Sequence, residues 1–286
     1  MIRSMTAYAS GERETPWGTL SCELRSVNHR FLETGMRVHE DLRTLEPVLR
    51  ERIASRVSRG KLDLSLRLRA PEQQQGLQLD EARITELADA ARRLGEHFHG
   101  MRVEFTQLLQ FPGVQRAASV DGDALKAEVL ALLDEVLDGF LEARAREGAR
   151  LATAIHERLD GIERIAAEVR TMMPALRAGQ RQKLETRLAE LAQPADPGRL
   201  EQELVLALQK LDVDEELDRL DAHVAEARRV LGLKEAVGRR LDFLLQEFNR
   251  EANTLGSKSV DSRSSNAAVE LKVLIDQVRE QVQNIE

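Results

Sequence analysis

Two glutamates stand four positions apart near the end of the chain, at Glu247 and Glu251. In a helix, that spacing stacks both carboxylates on one flank of an apolar stripe. Two half-buried carboxylates repel each other unless a cation lies between them or a basic side chain pairs with them. The pair therefore predicts either a divalent metal site with hard oxygen ligands, or a salt bridge to Arg239, Arg240 or a neighbouring helix.

A second acidic flank precedes this segment. The residues that recur at helical spacing, about 100° from an apolar stripe, are Asp212, Glu216, Arg219 and His223. If the two helices form a hairpin, Glu216 and His223 face the glutamate pair. Three carboxylates and an imidazole can hold Mn²⁺ or Mg²⁺. The alternative for a lone histidine here is a place on the helix surface or at a cap.

A short Gly-Ser-Lys-Ser sequence follows the glutamate pair, at 256–259. A glycine and small hydroxyl residues after a helix indicate first of all a C-cap and a turn. Alternatively, the backbone N–H groups and Lys258 can contact a phosphate. The sequence is not a Walker A motif, because the earlier glycine is missing.

The front of the chain is basic and the rear is acidic. Residues 1–70 hold 13 Lys or Arg and nine Asp or Glu, a charge of +4, so the net charge of −7 leaves −11 for the rest. This distribution suits a protein that binds a polyanion with one part and a cation with the other. The alternative is an ordinary solvated acidic surface.

Hydrogen-bond donors concentrate in the segment 25–33. Positive charges and hydrogen-bond donors attract a phosphate backbone. The candidates for RNA contact in this segment and nearby are Arg25, Asn28, His29, Arg30, Arg37, Arg59 and Lys61. On a strand, Arg25 and His29 share one side and Asn28 and Arg30 the other. Because the aromatic residues of sequence-reading RNA modules are missing, any contact should be to backbone and shape. The alternative is pairing with Glu23, Glu33 and Glu40.

Periodicity in the first part of the chain predicts a sheet unit with one helix. Alternation of apolar and polar residues predicts strands, and 3.6-residue spacing predicts a helix. The strands are expected at 19–28, 31–38 and 62–69, and the helix at 45–57. A further helix is expected at 80–98, with Asp80 as its N-cap.

The rest of the chain has the composition and spacing of long helices. The region 123–173 is mostly helical, and Pro174 should end or kink it. After a loop at 193–198, helices are expected at about 199–231, 237–255 and 264–285. The last helix carries an apolar stripe that should pack against a neighbour in the same or another chain. The fold class is therefore α+β, a mixed sheet followed by long helices and a C-terminal helical bundle.

Composition excludes several classes of protein. The single cysteine, Cys22, rules out a disulfide within the chain and a cysteine-based zinc site. No run of 18 apolar residues occurs, and the first ten residues lack the apolar core of a signal peptide. We therefore expect a cytoplasmic protein with no membrane partner.

The chain resembles the YicC-like family of endoribonucleases over essentially its whole length. The segments that carry the resemblance are Ser4-Met5-Thr6, 23–33 (ELRSVNHRFLE), 58–63 (SRGKLD), 111–114 (FPGV), 212–223, 238–259 and 279–286 (REQVQNIE). The most specific of them is GRRLDFLLQEFNREANTLGSKS at 238–259. One departure is Ala7-Tyr8-Ala9, where similar proteins have Gly-Phe-Gly.

The resemblance implies a domain organisation and an activity. It implies an N-terminal α+β domain with a helical extension (1–155), a helical linker (156–198) and a C-terminal helical domain (199–286). It also implies metal-dependent RNA cleavage by a homo-oligomer, a hexameric ring or clam-shell that admits RNA. Composition alone implies none of this.

The two acidic flanks and the implied activity together suggest one mechanism. The proposed ligands of one Mn²⁺ or Mg²⁺ ion are Glu216, His223, Glu247 and Glu251. Arg219, Arg250 and Lys258 would clamp the phosphate, with Arg250 at the reacting centre. A metal-free alternative uses His29 or His223 as general base on the ribose 2′-OH. Two others are a non-catalytic RNA-binding or adaptor oligomer that recruits other RNA-decay factors, and a purely structural oligomer.

Overall fold

The computed structural model describes residues 2–69, 79–98, 100–115, 121–190, 198, 201, 202, 205, 206, 209, 211–233 and 235–286. Within these residues a four-stranded sheet comes first and long helices follow, so the α+β prediction is confirmed. No helix in the described part of the chain combines the length and apolarity needed to cross a membrane.

The sheet is mixed. Its strands are β1 (Ala7–Thr15), β2 (Gly18–Val27), β3 (Leu32–Val38) and β4 (Gly60–Arg69), in the order β1-β2-β4-β3. The pairs β1–β2 and β2–β4 are antiparallel, whereas β3 and β4 are parallel. Because parallel neighbours need a crossover, a 3-10 turn at Glu40–Leu45 and helix α1 (Glu46–Arg56) connect them.

Strand β1 was not predicted from the sequence. Its inward positions carry small residues, such as Ala7, Ala9 and Gly11, so it lacks the apolar alternation of the other strands. A Cβ at Gly11 would lie 3.0 Å from a side-chain atom of Val136 and 3.1 Å from one of Leu132. The small residues therefore let the long helix behind the sheet approach the strand closely.

Two helices follow the sheet and form an arm, defined here as residues 79–98 and 100–115. Helix α2 (Glu81–Gly95) begins as predicted, because the Asp80 carboxylate accepts a hydrogen bond from the Arg83 amide at 2.9 Å. Helix α3 is Phe105–Leu109. Neither α2 nor α3 contains a buried residue, so the arm does not share the protein's main cores.

Helix α4 (Gly122–Ala189) has 68 residues, a length of about 100 Å. Pro174 does not end the helix, since the helix continues for 15 residues beyond it, and the kink expected as the alternative stays a prediction. Proline removes one backbone hydrogen bond and crowds the preceding turn. Met173 and Leu176, on either side, are buried in the core of the C-terminal helices, and this burial holds the helix together.

Helix α4 contributes to two separate cores. Its first half, from Leu125 to Phe140, covers the inner face of β2 and β4 together with α1. Its second half, from Ile155 to Leu176, packs with three C-terminal helices: α5 (Asp214–Leu231), α6 (Gly238–Lys258) and α7 (Ser262–Val282). The stretch expected as a linker, 156–198, is thus helical as far as Ala189, and up to Leu176 it belongs to a core.

The two ends of the chain meet on α4 between these cores. Ser4 pairs with Ile285 as an antiparallel bridge, and the backbone N–H of Met5 donates to the carbonyl of Asn284 at 2.8 Å. The fully buried Arg144 donates from Nε to the Ser4 carbonyl and from Nη2 to Glu286 Oε2, both at 2.6 Å. The N-terminal segment, α4 and the end of α7 are therefore joined at one point.

We predict that Gly148→Ala destabilises the protein by about 1–3 kcal/mol, although alanine favours helix more than glycine does. A Cβ at Gly148 would lie 2.3 Å from the Ile2 carbonyl oxygen, so the N-terminal segment would be displaced from α4. The matched control is Gly139→Ala in the same helix, where a Cβ meets nothing within 4 Å. The control should gain up to about 1 kcal/mol in urea unfolding. Equal stability of the two variants would contradict the close approach.

Candidate functional site

Helices α5 and α6 lie side by side and bury their apolar stripes in one core with α4 and α7. Leu217, Leu220 and Val224 of α5 are buried, as are Leu245 and Phe248 of α6. This confirms the hairpin on which the predicted site depended. Near the start of α6, Arg240 contacts Glu226 of α5 at 2.8 Å, and Arg229 with Arg240 lowers the pKa of Glu226 to about 2.

The hairpin brings His223 together with Glu247 and Glu251. One ring nitrogen of His223 and one carboxylate oxygen of each glutamate all lie within 4.8 Å of one another. Glu251 is buried, His223 is half-buried, and the Glu247 side chain is 47% exposed. The cluster thus extends from the helix interface to solvent, so its outer side is open to a substrate.

The His223 ring has a buried nitrogen without a hydrogen-bond partner. Its Nε2 is buried and has no hydrogen-bond partner among the described residues, while the ring packs at 5.6 Å from the Phe248 ring. A buried polar atom left unpaired costs about 1–3 kcal/mol. A cation at this place would satisfy the nitrogen and neutralise the two carboxylates. The donor set, one imidazole and two carboxylates, suits a divalent transition metal.

Salt bridges, the alternative interpretation of the glutamates, are present but long. Arg219 Nη1 lies 3.5 Å from Glu251 Oε1, and the same guanidinium also pairs with Glu215. Arg250 Nη1 lies 3.7 Å from Glu247 Oε2. Neither is a bidentate pair at hydrogen-bond distance, the geometry that makes arginine–carboxylate pairs strong. The arginines therefore balance only part of the charge of the two carboxylates.

Glu216, the fourth residue of the predicted ligand set, lies outside this cluster. Its buried carboxylate accepts a hydrogen bond from Lys258 Nζ at 2.9 Å, and the same ammonium donates to the Asp212 carbonyl at 2.6 Å. Lys258 reaches it because α6 runs to residue 258, three residues beyond the predicted end. In this structure Lys258 is the counter-ion of Glu216 rather than a free phosphate ligand.

The basic candidates of the N-terminal domain divide into two groups. Arg25 and Arg37 line an open cleft of about 870 Å³, together with Tyr8 and with Arg146 and Arg150 of α4. Tyr8, Arg146 and Arg150 were not predicted from the sequence, although the i, i+4 spacing of the two arginines on α4 was a usable signal. Glu23 and Asp63 also line this cleft, so its charge is mixed.

The second group lies beyond the end of β2. The strand ends at Val27, so the expectation that His29 and Arg30 lie on opposite sides of a strand is wrong. Asn28 and Arg30 line a different cleft, against the start of α6. His29 Nε2 lies 3.6 Å from Glu33. Lys61, on β4, pairs in register with Val27 and Glu33. No ion pair joins Lys61 to another residue in the described part of the chain.

Cys22 takes no part in the site. It is a fully buried residue of the N-terminal core, and this burial raises the pKa of its thiol to about 12. The thiol is therefore protonated at neutral pH and cannot serve as a nucleophile or a metal ligand.

We predict that Lys258→Met lowers the free energy of unfolding by about 2 kcal/mol, because it leaves the buried Glu216 carboxylate without its partner. The loss should be smaller than the 3–5 kcal/mol typical of a fully buried pair, because Lys258 is partly exposed. The double variant Lys258→Met, Glu216→Gln should recover most of the loss in urea unfolding. A single variant as stable as the wild type would show that the pair contributes nothing.

Two family models match this chain in succession. One, described as "Endoribonuclease YicC-like, N-terminal region", matches residues 2–153, and the other, "Endoribonuclease YicC-like, C-terminal", matches residues 169–286. The chain is 42% identical over 287 residues to a probable endoribonuclease YicC of Haemophilus influenzae and 28% identical over 293 residues to one of Clostridioides difficile. Both alignments cover 100% of this chain and of the relative. The chain therefore belongs to the YicC-like endoribonuclease family.

Proposed function

We propose that this endoribonuclease cleaves RNA with a divalent cation held by His223, Glu247 and Glu251. The observation that carries the proposal is that the Nε2 of His223 is buried without a hydrogen-bond partner, while the same side chain lies close to the carboxylates of Glu247 and Glu251. Of the two ions expected from the sequence, Mn²⁺ is favoured over Mg²⁺, since it accepts an imidazole ligand more readily. Glu216 is left out of the ligand set because Lys258 holds it.

The surrounding residues have separate tasks in this proposal. A divalent ion held by the cluster would stabilise negative charge on the phosphate and activate water. Arg250, whose side chain is 71% exposed and only loosely paired with Glu247, can contact a phosphate oxygen of the substrate. Arg219 lies between Glu215 and Glu251 and positions the Glu251 carboxylate. The structure thus favours a positioning role for Arg219 over the RNA contact expected from the sequence.

The cleft that contains Arg25 and Arg37 would hold the flanking RNA. Neither guanidinium forms a hydrogen bond or ion pair with another described residue, so both are available for phosphates. Contacts of this kind fix the register of a nucleic acid without reading its sequence. Lys61 lies on the neighbouring strand β4 and adds positive charge at the same sheet.

A metal-free mechanism remains the second candidate, because an unpartnered imidazole nitrogen is also what a general base requires. In that mechanism His223 accepts the proton of the ribose 2′-OH, and the product carries a 2′,3′-cyclic phosphate. His29 is a weaker candidate for this role, since it pairs with Glu33. The non-catalytic adaptor is disfavoured by membership in an endoribonuclease family.

The arm supports the proposal that the protein associates with copies of itself. Large apolar side chains are exposed along it, including Phe98, Met101, Val103, Phe105 and Phe111. Several large exposed apolar side chains on one small helical element indicate a protein interface. The partner we propose is a second copy of this chain, as the sequence resemblance also implied.

We predict that Glu247→Gln and Glu251→Gln each lower the cleavage rate by at least about 100-fold, because each removes a charged ligand while keeping the side-chain shape. Mn²⁺ affinity, measured by calorimetry, should fall in both. The control is Glu270→Gln, an exposed carboxylate of α7 with no ion pair among the described residues. EDTA should abolish wild-type cleavage, and the products should carry 5′-phosphates. Full activity in both variants, indifference to EDTA, or 2′,3′-cyclic ends would each exclude the metal mechanism.

For self-association, we predict that Phe98→Ser with Phe105→Ser reduces the mass of the assembly in light scattering, because both exposed rings leave the interface. The control is Val260→Ser, which removes an equally exposed apolar side chain between α6 and α7. An unchanged mass of the arm variant, with normal thermal unfolding, would exclude the arm as the interface.

A further inference from the structure

A second cleft lies where the N-terminal domain meets the start of α6. Its volume is about 510 Å³, and one side is formed by the connection between β2 and β3, the other by the first turn of α6. Three guanidiniums from distant parts of the sequence converge on it: Arg30, Arg59 and Arg239. The sequence made Arg59 a candidate for phosphate contact, but the function proposed above uses neither Arg59 nor Arg239.

The charges of this cleft are not balanced by the described residues around it. No ion pair joins Arg30, Arg59 or Arg239 to a carboxylate of the described residues, and Arg59 Nε donates only to the His29 carbonyl, at 3.2 Å. One carboxylate, Asp242, also lines the cleft, which leaves a formal charge of +2. Elsewhere, arginines such as Arg170 hold two carboxylates at once. Three guanidiniums facing one space therefore favour an anion between them.

An exposed aromatic ring lines the same cleft. Phe31 is 63% exposed, and the Arg30 guanidinium lies 5.3 Å from its ring centroid. The exposed ring and the three arginines line one space, so a base and a phosphate of the same nucleotide can be held there together. Base stacking on an aromatic side chain next to cationic groups is how single-stranded nucleic acids are held without sequence readout.

We propose that this cleft binds one nucleotide of single-stranded RNA, with its phosphate between Arg59 and Arg239 and its base stacked on Phe31. The choice of RNA rests on the proposed function, although binding can be measured without cleavage. Arg239 and Glu247 are on the same helix, eight residues and about 12 Å apart along its axis. The cleft therefore fixes where the strand lies relative to the proposed catalytic cluster, and so which bond is cut.

The first test measures RNA binding in EDTA, so that a failure of the metal proposal cannot affect it. For Arg59→Ala with Arg239→Ala, we expect at least tenfold weaker binding of a fluorescent single-stranded oligonucleotide at low salt. Because the two arginines neutralise one phosphate, their loss should make the slope of log K against log salt less steep by about 0.7. The control is Arg164→Ala with Arg187→Ala, two exposed arginines of α4 without ion pairs among the described residues. An unchanged slope in the cleft variant overturns the proposal.

The second test asks whether Phe31 stacks on one particular base. An abasic site moved along the oligonucleotide should weaken wild-type binding most at one position, by at least about fivefold. Phe31→Ala should weaken binding of the intact oligonucleotide by the same factor and abolish the sensitivity to that position, whereas Phe31→Tyr should restore both. Sensitivity that persists in Phe31→Ala overturns the stacking contact. Thermal unfolding of each variant checks that the fold is intact.

A free nucleotide is the alternative ligand of this cleft, because it offers the same phosphate and base as a nucleotide of an RNA strand. AMP and a nucleoside diphosphate should compete only weakly with the oligonucleotide. The opposite result is that AMP or the diphosphate binds tightly to the wild type and that this affinity is lost in Arg59→Ala with Arg239→Ala. If RNA binding is unchanged in that variant, the cleft is a free-nucleotide site and the proposal that it binds an RNA strand is wrong.

Discussion

One buried interaction joins the two halves of this protein: the ion pair between Arg144 and Glu286, at 2.6 Å. Arg144 is almost completely inaccessible, and its guanidinium also donates to the Ser4 carbonyl, while Ser58 donates to the other oxygen of Glu286. A buried charge without its partner is strongly destabilising, so each of these segments depends on the others being in place. The position of α7, and of α6 packed against it, relative to the sheet is fixed through this contact.

The acidity of α5 has a structural explanation for most of its residues. Arg170 of α4 pairs with Asp218 and Asp221, and Arg177 of α4 pairs with Asp212 and Asp214. These contacts clamp the outer face of α5 to α4 while its apolar face is buried. The surplus of carboxylates at 212–221 is therefore largely used in holding the helix. What remains for chemistry is the flank where α5 faces α6.

The sequence predicted this flank because its determinants are local. The stripe of Leu241, Leu245 and Phe248 fixes which side of α6 is buried, and so where Glu251 must lie. The pairing of Lys258 with Glu216 could not be predicted, since it depends on three more residues of helix, and helix ends are weakly determined by sequence. Strand β1 was missed for a different reason: its inward residues are small because α4 approaches it, which is a tertiary constraint.

In the proposed binding mode, arginines that are distant in sequence lie at one cleft, and this explains how an acidic chain binds a polyanion. Arg30, Arg59 and Arg239 are separated by up to about 200 residues in sequence, so no local pattern connects them. At physiological salt, charges act over roughly 8 Å, and a phosphate in this cleft is affected by the arginines around it far more than by the net charge of −7. The carboxylates of α5 are each paired with a cation, three of them with arginines of α4, so they repel a strand on the other side less. In the proposed mode of binding, the segregation of unpaired arginines from paired acids, rather than the overall charge, therefore decides where RNA lies.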